Sequence, residues 1–226
     1  VYVQSNATSI LVDVTPDFRQ QALRAGIQRI DAVFLTHTHA DHIMGLDDVR
    51  VFTQRSGRKM PVYGSAETIR NIQRIFPYAC TDTPAWPSLP RFDLRVVRPG
   101  EEFLLGDMTA SAVSLPHGWM EVYGYVFEKR LAYLTDCNDV PDPVVQSLRG
   151  VPVLVLDALR PRPHPTHLTI EQAVAVAGRV EAGLTLLTHI SHETEHASVE
   201  KTLPAGVRLA WDGMRVEITN GAVEEI

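Results

Sequence analysis

Apolar residues fall along the chain in short runs whose spacing alternates between the twofold period of strands and the 3.6-residue period of helices. Ser9 to Val14 is β-prone, and Thr15 with Pro16 supplies a cap and first residue for a helix that Gly26 can end. Ala32 to Leu35 is a second apolar strand. It stops at Thr36-His37-Thr38-His39-Ala40-Asp41-His42, a strand-to-helix loop leading into a helical run from Ile43 to Phe52. Pro61 to Gly64 and Ser65 to Phe76 repeat the order of strand then helix, with Ser65 as cap.

From Tyr78 to Pro90 the chain is proline-rich and aperiodic, which reads as a surface excursion suited to a lid. Beyond it, Phe92 to Val97, Thr109 to Leu115, Val122 to Phe127 and Leu131 to Thr135 form a β-rich block suggesting antiparallel hairpins. Val151 to Leu156, Leu184 to Leu187 and Val207 to Trp211 are further strands. Ile170 to Val180 sets Ile170, Ala173, Val174, Ala177 and Val180 on one helical face. No internal repeat interrupts this order, which predicts two halves of strands plus helices packed sheet against sheet within a single α/β domain.

Composition narrows the picture. The 226 residues, 45% hydrophobic and 21% charged, are those of a folded globular protein. A net charge of -6 argues against a general grip on a nucleic-acid backbone. Two cysteines, Cys80 and Cys137, are too few for a disulfide framework. No apolar run reaches the ~18 residues of a membrane span, so a cytoplasmic enzyme with no membrane partner is expected. The chain opens at Val1 in strand-like sequence without an initiator Met, so residues upstream of it are expected.

All nine histidines lie in four stretches: His37 to His42, His117, His164 to His167, and His189 to His196. In an extended loop His37 and His39 project the same way, so their imidazoles can meet one metal ion. Asp41 and His42 turn with the helix start and can face a second ion. Thr169 and Gln172 stand at capping-box spacing, which puts His167 just before a helix N-terminus, where anions are favoured. Arg160 and Arg162 add positive charge beside it, suited to a phosphate. His164, His192 and His196 read as polar loop residues, and Cys137 as a packing residue.

The run His37, His39, Asp41, His42 resembles the HxHxDH signature of the metallo-β-lactamase superfamily of metallohydrolases. The resemblance covers nearly the whole chain. Leu11-Val12-Asp13 resembles the family's first strand, ending in an Asp that supports the histidine loop, and His117, Asp136 and His189 match its later ligands at strand ends. It implies a four-layer αββα sandwich, a single hydrolase domain over residues 1–226 that lacks its N-terminal strand in this numbering. The additional N-terminal strand with a Gly-rich turn and the cysteine cluster of some relatives are not visible. It also implies one ion on His37, His39 and His117 and a second on Asp41, His42 and His189, with Asp136 bridging and Asp41 and His167 in catalytic roles. A metal-bound hydroxide would be the nucleophile, with zinc favoured and manganese or iron as alternatives.

The segment Leu156 to Ala173 is similar to the phosphodiesterase branches, above all the phosphoribosyl cyclic-phosphate phosphodiesterases. Leu187 to His192 and Trp211 to Met214 also suit that branch. The expected substrate is a small cyclic or diester phosphate bound by Arg160, Arg162 and His167. Carboxylic-ester, lactone or thioester hydrolysis and tRNA 3′-end processing are the competing activities, and a homodimer is left open.

Overall fold

The computed structural model describes residues 1–81, 88–219 and 222–226. It divides into two compact units, Val1–Met108 and Thr109–Ile226.

In the first unit the strands β1 (Tyr2–Gln4), β2 (Ser9–Val12), β3 (Ala32–Phe34), β4 (Met60–Gly64) and β5 (Phe92–Val96) line up in that order. β1 runs antiparallel to β2, and the remaining pairs are parallel, with Ile10 opposite Ala32, Val33 opposite Val62 and Met60 opposite Phe92. β2 and β3 are buried along their whole length, which explains their unbroken apolar sequence. The helices are α1 (Phe18–Ala25), α2 (Ala40–Ile43), α3 (Arg50–Ser56) and α4 (Ala66–Ile75), and a short strand β6 (Glu102–Leu105) follows. Val14, Phe18, Leu35, Ile43, Leu46, Val62 and Ile72 belong to one apolar core.

The expected antiparallel arrangement does not hold for β5. Helix α4 carries the chain back across the sheet before β5 begins, and a crossover of that kind makes neighbouring strands parallel. Ser65 caps α4 as expected, its hydroxyl accepting the Thr68 N–H at 3.0 Å. Thr15 does not cap α1, which starts at Phe18 with Asp17 in the cap position and ends at Gly26 in the left-handed region. The backbone before it is used elsewhere: Val14 N–H donates to His42 O at 2.7 Å, and Gly45 N–H donates to Val14 O at 2.9 Å. The run expected as one helix from Ile43 to Phe52 is broken into α2, a 3-10 turn at Leu46–Val49, and α3. Of the proline-rich excursion, Pro77–Ala79 forms another 3-10 turn, while residues 82–87 lie outside the described residues.

In the second unit the strands are β7 (Met108–His117, starting at the boundary), β8 (Met120–Phe127), β9 (Leu131–Leu134), β10 (Val153–Asp157), β11 (Leu184–Thr188) and β12 (Val207–Leu209). Across the sheet they run β12, β11, β10, β9, β8, β7. β7, β8 and β9 form the expected antiparallel hairpins, and β9 to β12 are parallel. The helices are α5 (Asp142–Leu148), α6 (Ile170–Val180) and α7 (His196–Glu200), and β13 (Val216–Thr219) and β14 (Ala222–Glu225) make a separate antiparallel ribbon. Leu154 and Leu156 of β10 meet Ala173, Val176 and Val180 of α6 in one core.

Helix α6 has the bounds and cap that the sequence predicts. Thr169 Oγ1 accepts the Gln172 N–H at 3.1 Å, and Gln172 Oε1 accepts the Thr169 N–H at 2.8 Å. In metal-free protein, Thr169→Ala is expected to lower the unfolding free energy by about 1 kcal/mol. Urea titration followed by circular dichroism measures it; an unchanged midpoint would show that tertiary packing alone fixes the helix start.

Candidate metal centre

In the first unit everything turns on Asp13. The residue follows β2 with φ at 56°, a left-handed conformation that costs a non-glycine residue roughly 1–2 kcal/mol. That turn aims its buried carboxylate under the histidine loop. Oδ1 accepts the Thr36 N–H at 2.9 Å, and Oδ2 accepts the Thr36 hydroxyl at 2.8 Å and His42 Nδ1–H at 2.7 Å. The proton placement follows. Thr36 has one hydroxyl hydrogen and gives it to Asp13, so toward His37 Nδ1, 3.0 Å away, its oxygen accepts. His37 and His42 therefore both carry hydrogen on Nδ1 and present a lone pair at Nε2, the form a metal ion requires.

The rings of His37 and His39 lie 4.4 Å apart and those of His37 and His42 4.2 Å apart. As the sequence suggests, Asp41 and His42 turn with the helix start, both in the single turn of α2; the Asp41 side chain is 63% exposed and its Oδ2 stands 3.4 Å from His42 Nε2. Helix α2 starts early because His39 takes the extended conformation of a cap residue and its carbonyl accepts the His42 N–H.

The second unit repeats the device. Asp157, the last residue of β10 and fully buried, accepts the Asp136 N–H at 3.2 Å, His167 Nδ1–H at 3.0 Å and the Leu168 N–H at 2.8 Å. Burial pushes its carboxyl up from the usual range, and the hydrogen bond from His167 works against that shift. His117 Nδ1 stands 2.8 Å from the Thr166 carbonyl, which can only accept, so His117 also presents Nε2. Asp136 and His189 follow their strands with φ at 54° and 60°, the same strained turn as Asp13. His189 Nε2 lies 3.4 Å and His167 Nε2 3.9 Å from the Asp136 carboxylate, and the His167 and His189 rings stack at 4.8 Å. Donor atoms of Asp136, His167 and His189 all fall within 4.8 Å of one another.

Thus within the first unit His37, His39, Asp41 and His42 come together, and within the second His117, Asp136, His167 and His189 do. The donor chemistry fits divalent ions: neutral imidazoles with fixed tautomers and carboxylates on short turns. Arg160 and Arg162 are engaged differently from expectation. Arg160 donates to Glu193 Oε1 at 3.0 Å and to the Pro163 carbonyl at 3.1 Å, and Arg162 donates to Glu193 Oε2 at 2.8 Å. Glu193 is thus an ion-pair partner of both arginines. Cys137 is buried in the core, and burial holds its thiol well above the ordinary range, as befits a packing residue. His164 lies beside His167 at 5.0 Å between rings, while His196 opens α7 with Nε2 3.4 Å from the Ala210 carbonyl.

Asp157, Thr36 and Thr166 were not singled out by sequence reasoning. For Asp157 a signal existed: Leu156-Asp157 repeats the apolar run ending in Asp of Val12-Asp13. Thr36 and Thr166 act through one hydroxyl and one carbonyl, which no pattern announces.

A family model described as the beta-lactamase superfamily domain matches residues 8–190. A protein of Porphyromonas gingivalis (strain ATCC BAA-308 / W83) named octanoyltransferase is 36% identical over 211 residues, which make up 92% of this chain and 42% of that protein. A ribonuclease Z of Bradyrhizobium sp. (strain ORS 278) is 31% identical over 170 residues, 69% of this chain and 54% of that protein. Among solved structures, a diphosphatase of the PhnP family has a TM-score of 0.88 at 41% identity, covering 96% of this chain and 83% of that one. The chain spans about half the length, or less, of these two curated relatives. It belongs to the metallo-β-lactamase superfamily, close to the PhnP family. The fold implies divalent metal ions. Among the described residues no helix is long and apolar enough to cross a membrane.

Asp157→Asn should cost about 10–100-fold in kcat/KM on an alkyl phosphodiester, whose leaving oxygen draws on His167, because an amide offers a hydrogen where His167 needs an acceptor. Circular dichroism should remain unchanged. Full activity would mean that Asp157 only satisfies buried donors.

Proposed function

We propose that the protein is a binuclear metal-dependent phosphodiesterase acting on a small cyclic or diester phosphate, with residues 1–226 working as one hydrolase domain. The observation that carries this reading is His167, a buried imidazole with Nδ1–H held by Asp157 and Nε2 beside Asp136 and His189. An imidazole so oriented is suited to delivering a proton to a leaving oxygen.

In this reading His37, His39 and His117 would hold one ion and Asp41, His42 and His189 the other, with Asp136 serving both. The HxHxDH run, the strand-end positions of the later ligands and the superfamily membership support the assignment. When bound, the two ions supply charge stabilisation for the phosphate and a water acidified enough to attack it near neutral pH. Zinc suits the imidazole-rich set, with manganese or iron at the carboxylate-rich position. Asp41 contributes negative charge to the second ion and a carboxylate facing the reaction. His167 in its protonated form steadies the phosphate and gives the Nε2 proton to the departing alkoxide, becoming neutral, while Asp157 stabilises the imidazolium before the transfer and holds the ring in place. Arg162, 72% exposed, exchanges Glu193 for a phosphate oxygen, while Arg160 maintains the loop that presents His167.

The ribonuclease Z likeness favours a second reading, cleavage of a precursor tRNA, against which the net charge of -6 weighs. Acyl hydrolysis of a lactone or thioester would use the same ions without His167. Turnover of a bis-aryl phosphate, a cyclic phosphate, a lactone panel and a precursor tRNA separates them; hydrolysis confined to the lactones would overturn the phosphodiesterase reading.

Elemental analysis of the reconstituted protein should find about two divalent ions per chain, and Asp136→Ala should lose metal and activity together. Retention of both ions at unchanged affinity would make Asp136 a structural residue.

His167→Ala should keep its metals and lose roughly 10²–10⁴-fold on an alkyl or ribose phosphodiester. The loss should be much smaller on a nitrophenyl ester, whose leaving group needs no proton. Equal losses would reduce His167 to phosphate positioning, and a loss of metal would make it a ligand, a role its distance to Asp136 and His189 permits.

A further inference from the structure

Trp119 is 90% exposed, while the other large aromatic left partly open in this unit, Trp211, is covered by the Arg208 guanidinium at 5.4 Å. Trp119 sits at the apex of the β7–β8 hairpin, two residues beyond His117. The turn is tight: His117 pairs with Met120, leaving Gly118 and Trp119 as its two residues, with Gly118 at φ 64°. Hairpin turns favour glycine and asparagine at such positions, and nothing in the turn itself calls for an indole.

The turn is also fixed from two sides. Gly118 N–H donates to Asn138 Oδ1 at 3.0 Å, two residues past Asp136. A Cβ on Gly118 would stand 2.7 Å from Thr166 Cγ2, so the turn packs directly against the residue preceding His167. The indole is thus carried on a rigid mount, tied to the segments that bear Asp136 and His167.

We propose that Trp119 is a specificity residue whose indole stacks on the base of a nucleotide substrate, so that the phosphoester hydrolysed carries a nucleobase on its non-leaving side. This deepens the phosphodiesterase reading and rests on it. A solvent-facing indole on a fixed turn offers a stacking face that any base can use, and the gain appears in binding, since the face touches a part of the substrate that does not react.

The test compares two esters with the same leaving group, thymidine 5′-p-nitrophenyl phosphate and methyl p-nitrophenyl phosphate, on metal-loaded protein. Trp119→Ala should raise KM for the thymidine ester about ten- to a hundred-fold with kcat little changed. The methyl ester should be unaffected, metal content should be unchanged, and Trp119→Phe should recover most of the loss. Equal effects on both esters, or none, would overturn the proposal. A separate fluorescence titration covers failure of the reaction itself: AMP should quench the wild-type signal, ribose 5-phosphate should not, and Trp119→Phe should abolish the difference. If neither ester is hydrolysed and this selective quenching persists, the phosphodiesterase reading fails while the base platform stands; absence of selective quenching overturns the platform.

Discussion

A carboxylate taken out of water must be met by donors, and in each unit of this protein one such carboxylate organises the chemistry. Asp13 is closed over by Thr36 and His42, and Asp157 by Asp136, His167 and Leu168. Each demands hydrogen from Nδ1 of a histidine, and a histidine that has given that hydrogen can offer only Nε2 as a base. Tautomer, ring direction and burial are settled together by one group. The remaining features of the site follow from getting those two carboxylates to the ends of their strands and turning them inward.

Strand ends suit this task because the backbone there must leave the sheet. Asp13 and Asp136 leave it through left-handed turns, as does His189 after β11. Each turn costs more than a glycine would, yet a glycine could not supply the carboxylate or imidazole. The conformational cost is carried by adjacent strands that are fully buried, β2 at one position and β10 beside β11 at another. Rigid parallel strands with strained polar ends are therefore one arrangement: the first holds the second in place.

Much of this was legible in the sequence where it had a period or a motif. The HxHxDH run, the capping box at Thr169 and Gln172, the β7 to β9 hairpins and the bounds of α6 all have local causes, and all appear in the structure. The failures have non-local causes. Thr15 satisfies a helix-cap rule, but the neighbouring Val14 backbone is taken by His42 and Gly45, so α1 waits until Phe18. β5 follows a β-rich composition into what looks like a hairpin, yet α4 had already reversed the chain. Arg160 and Arg162 read as positive charge for a phosphate, and their pairing with Glu193, about thirty residues away, has no local sign. Charge counted along a sequence says nothing of pairing across it.

One loop gathers these constraints. Thr166 gives its carbonyl to His117, His167 gives Nδ1–H to Asp157, and Leu168 gives its N–H to Asp157 and Cys137, so consecutive residues serve two histidines of the candidate site and the core. The loop is pinned at one end by the capping box of α6 and at the other by Arg160, which holds the Pro163 carbonyl and Glu193. Its pinned residues cannot change without disturbing the histidines they orient. Residues at its rim, such as Arg162, and at the neighbouring hairpin apex, Trp119, are under no such demand. Substrate choice can therefore shift at the rim while the buried carboxylates and the histidines they orient stay as they are.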